Sequence, residues 1–257
     1  MLMNIPKVLI FLLLAGLVVL FSSPALAQDS EPWWPIQVKS FYGEYNIESK
    51  IPGHPAADLQ GPKLEEWSPP EAANRAYHIG VSFPHLKDSY WQAVNYGIVD
   101  EARRLGVSII LVEAGGYNEL PNQLQQMKDL AAGGIDGMIV GAISYEGNDQ
   151  TISEIAATGV PVVEVINDVQ APDITAKALV SFHDMGYYAG EFVAENAEDR
   201  DLDDVVVVFL PGPQDSGWAP DTVKGFESAV EFFPGTMTIV DIKWGDTGAD
   251  AQGALIK

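Results

Sequence analysis

"YHIGVSFPHLKDSYWQAVNYGIVDEARRLGVSIILVE", Tyr77 to Glu113, decides the fold. An aromatic and β-branched run from Tyr77 to Phe83 is followed by a polar turn. Tyr90, Val94, Gly97, Ile98, Ala102 and Leu105 then recur at helical spacing within Ser89 to Leu105, and a second apolar run fills Val107 to Glu113. Strands apolar on both faces and separated by an amphipathic helix predict a parallel sheet covered on both sides. Asp88 stands where an N-cap belongs, its carboxylate able to take the free N–H groups of the first turn. The spacing assigns Tyr90 to the core stripe and leaves Trp91 projecting beside it, at the carboxyl end of a strand, where it would line a cleft.

The alternation continues with a helix over Leu120 to Ala132, a strand "GMIV" from Gly137, and a helix near Gln150 to Ala157. A strand from Val160, a short strand ending at Phe182 and a helix from Met185 to Ala197 complete the series. Residues 76–197 therefore read as a doubly wound α/β lobe. "EDRDLDD", Glu198 to Asp204, reads as a charged crossing. A new strand from Val205, a helix from about Asp221 to Phe232 and a strand from Met237 to Trp244 repeat the plan. "DTGADAQGALIK" reads as a helix start that stops. Two strands are marginal without further partners, so residues 198–257 are expected to be an incomplete second lobe of a longer chain.

Ahead of the first lobe, one early Lys7, an apolar run from Val8 to Phe21 and the small-residue exit Ala25-Leu26-Ala27 predict a secretory signal over residues 1–27, cleaved after Ala27 into the periplasm. Residues 28–75 carry seven prolines, which exclude a long helix. They read as an extended segment lying across the main domain, with one strand near Gln37 to Phe41 and with Trp33, Trp34 and Tyr42 as its anchors.

With 257 residues, 47% of them hydrophobic, the chain can bury a sizeable core without any of the disulfides that its zero cysteines preclude. A formal charge of −22 repels phosphates and anionic headgroups, which argues against nucleic acid and acidic membranes as partners. No dinucleotide fingerprint, phosphate loop or nucleophile elbow occurs. Four histidines without cysteine are thin material for a metal site or a triad, and neighbouring His183 and Asp184 have no evident nucleophile. A binding protein without metal or cofactor is expected rather than an enzyme.

In an open α/β sheet, ligands bind outside the carboxyl ends of the strands. The loops there offer Asp88 and Trp91, then Tyr117 after Gly115 and Gly116, then Asn167 with Asp168, then Phe182. The second lobe offers Asp215 and Trp218 facing back across the crevice. Tyr117 suits a cleft wall and an ordinary strand-to-helix turn equally.

"LKDSYWQAVNYGIVDEARRLGVSIILVEAGGYNEL", "MGYYAG" and "LPGPQDSGW" resemble the type I periplasmic binding proteins, and within them the TorT-like branch. The likeness runs from Tyr77 to the end. It implies a two-lobed switch that binds trimethylamine N-oxide and is read by the periplasmic domain of a TorS-like sensor kinase. It also implies pocket aromatics at Tyr90, Trp91 and Tyr117, with Asp88 as the neighbouring carboxylate. Two positions depart from that branch: Phe182 stands where Trp is usual and Trp218 where a small residue is. The alternative is a sugar receptor serving the permease of an ABC transporter, against which stands the absence of Arg between Arg104 and Arg200.

Overall fold

In the computed structural model, which describes residues 34–43 and 60–256, a five-stranded parallel sheet organises the first lobe. Its strands are β3 (His78–Phe83), β4 (Ser108–Glu113), β5 (Gly137–Val140), β6 (Val162–Ile166) and β7 (Ala176–Leu179), in the order β4-β3-β5-β6-β7. Helices α1 (Ser89–Leu105), α2 (Leu120–Ala132) and α3 (Asp149–Ala156) cover it. On one side Val81, Phe83 and Trp91 pack with Val94, Ile98 and Leu111; on the other, Met127, Leu130, Met138, Ile152 and Val162 form a second core. This is the doubly wound lobe that the alternating runs require.

The lobes divide elsewhere than the charge pattern suggests. Helix α4 (Phe182–Glu198) packs along α5 (Trp218–Val230), so it belongs to the second lobe and the chain crosses at residues 180–181. Gly186, Gly190, Ala194 and Ala197 are the buried positions of α4, and a Cβ on Gly186 would overlap the Thr222 carbonyl. Small residues let the two helix backbones approach closely. Residues 199–203 only turn α4 into the strand that follows it; a charged stretch reports solvation, which a turn has as readily as a crossing. The helix begins at Phe182 rather than Met185 because the Ser181 hydroxyl accepts the Asp184 N–H at 3.0 Å, and β7 has already ended at Leu179. Parallel strands β8 (Asp204–Phe209) and β9 (Thr236–Ile242), followed by α6 (Ala249–Leu255), make up the rest of the second lobe.

Ahead of the sheet, β1 (Ile36–Tyr42) and β2 (Gln60–Trp67) pair antiparallel as a separate two-stranded ribbon, most of whose residues are exposed. The expected anchors serve the ribbon rather than the lobe. Trp34 meets Trp67 edge-on with ring centres 5.2 Å apart, and the Tyr42 hydroxyl donates to Glu65 at 2.5 Å. The chain is tied to the lobe further on, where the Arg104 guanidinium donates to the carbonyls of Pro70 and Glu71 and Arg75 pairs with Asp136 at 2.9 Å. Trp33 and the expected signal at 1–27 lie outside the described residues. Among the described residues no helix is long and apolar enough to cross a membrane.

Candidate functional site

The site begins at the end of β3. Asp88 takes the backbone N–H of Trp91 at 3.0 Å and so fixes the first turn of α1. Trp91, 2% exposed, packs on Phe83 at 4.9 Å and lies over Gly141, where any Cβ would collide with its ring. Tyr90 is 40% exposed. The two aromatics thus exchange the places that periodicity gave them: Trp91, Val94, Ile98, Ala102 and Leu105 form the inward stripe and Tyr90 stands at the rim. Three and four residues both return a helix to the same face, so Val94 could not choose between its two neighbours; the slot above Gly141 does.

Across the sheet, Gly115 (φ 108°) and Gly116 (φ 158°) turn the chain after β4 and bring in Tyr117, which is buried. A Cβ on Gly116 would press on Asp246 and Lys87, so this glycine admits a close approach from the second lobe. At the end of β6, its last residue Ile166 (φ 78°) and then Asp168 (φ 70°) hold Asn167 in a strained bend. Asp168 secures that bend with a buried ion pair to Lys177 at 2.6 Å and a bond from the Val169 N–H at 2.8 Å. Asn167 Nδ2 donates to the Ala142 carbonyl at 2.7 Å and to the Tyr117 hydroxyl at 2.9 Å, and Trp91 Nε1 donates to the same hydroxyl at 3.3 Å. Burial pushes the Tyr117 phenol well above its ordinary pKa, so it remains a neutral donor.

Two helix starts of the second lobe close the space. Trp218 lies 5.7 Å from the Tyr117 ring and 5.5 Å from Phe182. Asp88, Tyr90, Trp91, Tyr117, Asn167, Phe182 and Trp218, all selected from sequence, line one cavity of about 190 Å³. Asp215 does not; it lies in a neighbouring cleft of about 970 Å³ that shares Tyr117 and includes Glu146 and Trp244. Among the described residues no Lys or Arg lines either space. Sequence reasoning missed Met185 and Thr247, which complete the smaller cavity. Met185 was legible once α4 starts at Phe182, being three residues further along the same helix face; Thr247, in a terminal stretch without a strand run, gave no signal.

Thr247 belongs to a cross-lobe junction. His85 is fully buried; its Nδ1 accepts the Lys87 N–H at 3.3 Å, which places its proton on Nε2, 2.8 Å from Thr247 Oγ1. Lys87 Nζ meets Asp246 at 2.7 Å, and Asp246 accepts the Tyr117 N–H at 3.2 Å. His183 and Asp184 approach to 3.8 Å at the start of α4, away from the lining of either space. Among the described residues no group of ligand-type side chains is arranged to hold a metal.

A model of the periplasmic binding protein domain matches residues 79–255. The chain belongs to the periplasmic binding protein family. Periplasmic protein TorT of Escherichia coli K12 is 33% identical over 190 residues, which are 74% of this chain and 53% of that protein. An ABC transporter solute binding protein from Bradyrhizobium sp. BTAi1, solved with bound Bis-Tris, is 39% identical with a TM-score of 0.63 over 87% of this chain and 63% of that one. The complex of the TorS sensor domain with TorT, solved without ligand, matches at 31% identity and a TM-score of 0.54 over 65% of this chain and 56% of the matched chain. The chain spans about half the length of the curated relatives it matches. This family consists of substrate-binding proteins, and TorT is a periplasmic member.

Proposed function

We propose that the chain is a TorT-like periplasmic sensor of trimethylamine N-oxide or a related methylated amine, read by the periplasmic domain of a sensor histidine kinase. One observation carries this reading: five aromatic side chains and the Asp88 carboxylate surround a small cavity that, among the described residues, no cationic side chain lines. A methylated, formally cationic nitrogen gains from aromatic faces and from a carboxylate at the rim. The cavity is also smaller than the roughly 300–1,000 Å³ typical of pockets for drug-sized molecules, which suits a ligand of a few heavy atoms. The likeness to TorT supports a kinase partner, and the early Lys7, the apolar run from Val8 to Phe21 and the Ala25-Leu26-Ala27 exit support a leader cleaved after Ala27 and delivery to the periplasm. Such a protein binds and signals; it does not turn its ligand over. Phe182 keeps an apolar wall but is a weaker cation–π partner than Trp, which favours ligands held by several rings at once.

The 39% identity to an ABC transporter solute binding protein favours a second reading, a transport receptor for a larger solute such as a sugar, held across the neighbouring cleft and passed to a permease. Calorimetric titration with trimethylamine N-oxide, choline, glycine betaine and a panel of sugars separates the two. The sensor reading expects saturable binding of the amine oxide. Binding of sugars without the amine oxide overturns it.

A further inference from the structure

The hydroxyl of Tyr117 is surrounded by donors alone. Asn167 presents its amide nitrogen, an orientation fixed by chemistry, because the same nitrogen lies 2.7 Å from the Ala142 carbonyl, which can only accept. Trp91 presents an indole N–H, also a donor only. A third donor, the buried indole N–H of Trp218, has no hydrogen-bond partner among the described residues, and its ring lies 5.7 Å from that of Tyr117. A phenol oxygen has two acceptor positions and one proton. Asn167 and Trp91 take the acceptor positions, and among the described residues nothing accepts the proton. Tyr117 lines the aromatic cavity.

We infer that Tyr117 is the oriented hydrogen-bond donor of the cavity, that Asn167 is the residue positioning it, and that the pair selects ligands bearing an acceptor oxygen next to the methylated nitrogen. This rests on the proposed function, because it assigns chemistry within that ligand site. The aromatic faces hold methyl groups whatever else the ligand carries, so by themselves they do not distinguish an amine oxide from a quaternary ammonium ion of the same size. A neutral O–H whose lone pairs are already bonded does. Hydrogen bonds of one chain also polarise one another, so the two N–H groups strengthen the O–H as a donor to the ligand oxygen.

The test titrates the full chain with trimethylamine N-oxide and with tetramethylammonium, which has the same shape and lacks the acceptor. Tyr117→Phe keeps the ring and removes the proton. It is expected to weaken amine oxide binding by about 10- to 100-fold and to leave tetramethylammonium binding within about twofold. Asn167→Asp supplies an acceptor in place of a donor and draws the Tyr117 proton away from the ligand; it is expected to weaken the amine oxide while tetramethylammonium binds as well as before or better. An equal fall for both ligands, or unchanged amine oxide binding, overturns the assignment and leaves the sensor reading standing. Where neither variant folds, the wild type decides: tighter binding of the amine oxide supports the donor, and equal affinity for the two ligands overturns it. A wild type that binds neither ligand overturns the sensor reading and the donor with it.

Discussion

Truncating Trp91 removes a buried ring from the slot over Gly141, so the variant loses core before it loses a ligand contact. Trp91→Ala should therefore cost about 3–5 kcal/mol in denaturant unfolding, and its binding defect cannot be read apart from that loss. Tyr90, at the rim, is the cleaner probe. Tyr90→Ala should change stability by about 0.5 kcal/mol or less and still weaken amine binding measurably in a titration. A different balance governs Glu164, whose side chain is fully buried in β6, one carboxylate oxygen accepting the Ala142 N–H at 3.2 Å and the other without a partner. Burial raises its pKa well above the usual carboxylate range and so favours the neutral form. Glu164→Gln preserves both shape and neutrality and should unfold within about 1 kcal/mol of the parent, whereas Glu164→Leu strands the Ala142 N–H and should cost about 1–3 kcal/mol. Equal losses in the two variants would show that the carboxyl group is ionised in the native state.

Helices α4 and α5 meet through glycine, and the second lobe depends on how closely they approach. Gly225 lies against the His183 carbonyl, with no room for a Cβ. Gly225→Ala should push the helices apart at a cost of about 1–3 kcal/mol. Hydrogen exchange should then speed up in β8 and β9 and stay unchanged in β3 to β7; uniform loss across both sheets would mean that the lobes do not unfold separately. This crossing also shows what the sequence makes legible. The ends of α1 and α2 are readable because apolar stripes terminate at Gly106 and Gly133, and β5 is readable as four apolar residues between turn signals. The boundary between lobes is not, because it is marked by the small residues on one face of α4, which carry no hydropathy. Strand β2 escapes for a related reason: "QGPKLEEW" is mostly polar and exposed, and its partner lies 25 or so residues earlier, so its pairing is not local. Seven of the eight candidate site residues share one cavity because strand ends converge in any doubly wound sheet. Asp215 does not join them, since a loop's position along the crevice depends on lobe packing rather than on strand order.

At the scale of the whole molecule, the junction that joins the lobes beside the cavity is built from groups that titrate. Asp246 and Thr247, beyond β9, reach Lys87, His85 and the Tyr117 N–H, and Thr247 also lines the cavity, so closing the lobes and completing the site involve the same residues. Burial holds the His85 imidazole below its usual pKa, with Lys87 adding to the effect and Asp88 and Asp246 opposing it. Protonation would also abolish the Nδ1 acceptor that Lys87 N–H uses. Asp246 is held below the usual carboxylate range: burial opposes this, and Lys87 with the N–H groups of Tyr117 and Thr247 outweighs it. Both folded-state pKa values are lowered, so both contributions run in the same direction. The share of His85 is complete above about pH 6.5 and declines below it, and that of Asp246 is complete above about pH 4 and declines further down. Asp149 works against them in global stability, since burial and then Glu146 raise it to about 6, and its ionisation costs stability as pH rises through that value. A melting temperature sums these opposed slopes; local exchange at the junction does not. The Tyr117 and Thr247 amides should therefore exchange faster at about pH 5 than at pH 7 after correction for intrinsic rates, and ligand affinity should fall with them. Thr247→Val, which removes the partner of His85 Nε2, should already show faster exchange at pH 7 and a shallower dependence on pH. Protection at those two amides that does not change between the two pH values would mean that His85 does not hold the junction.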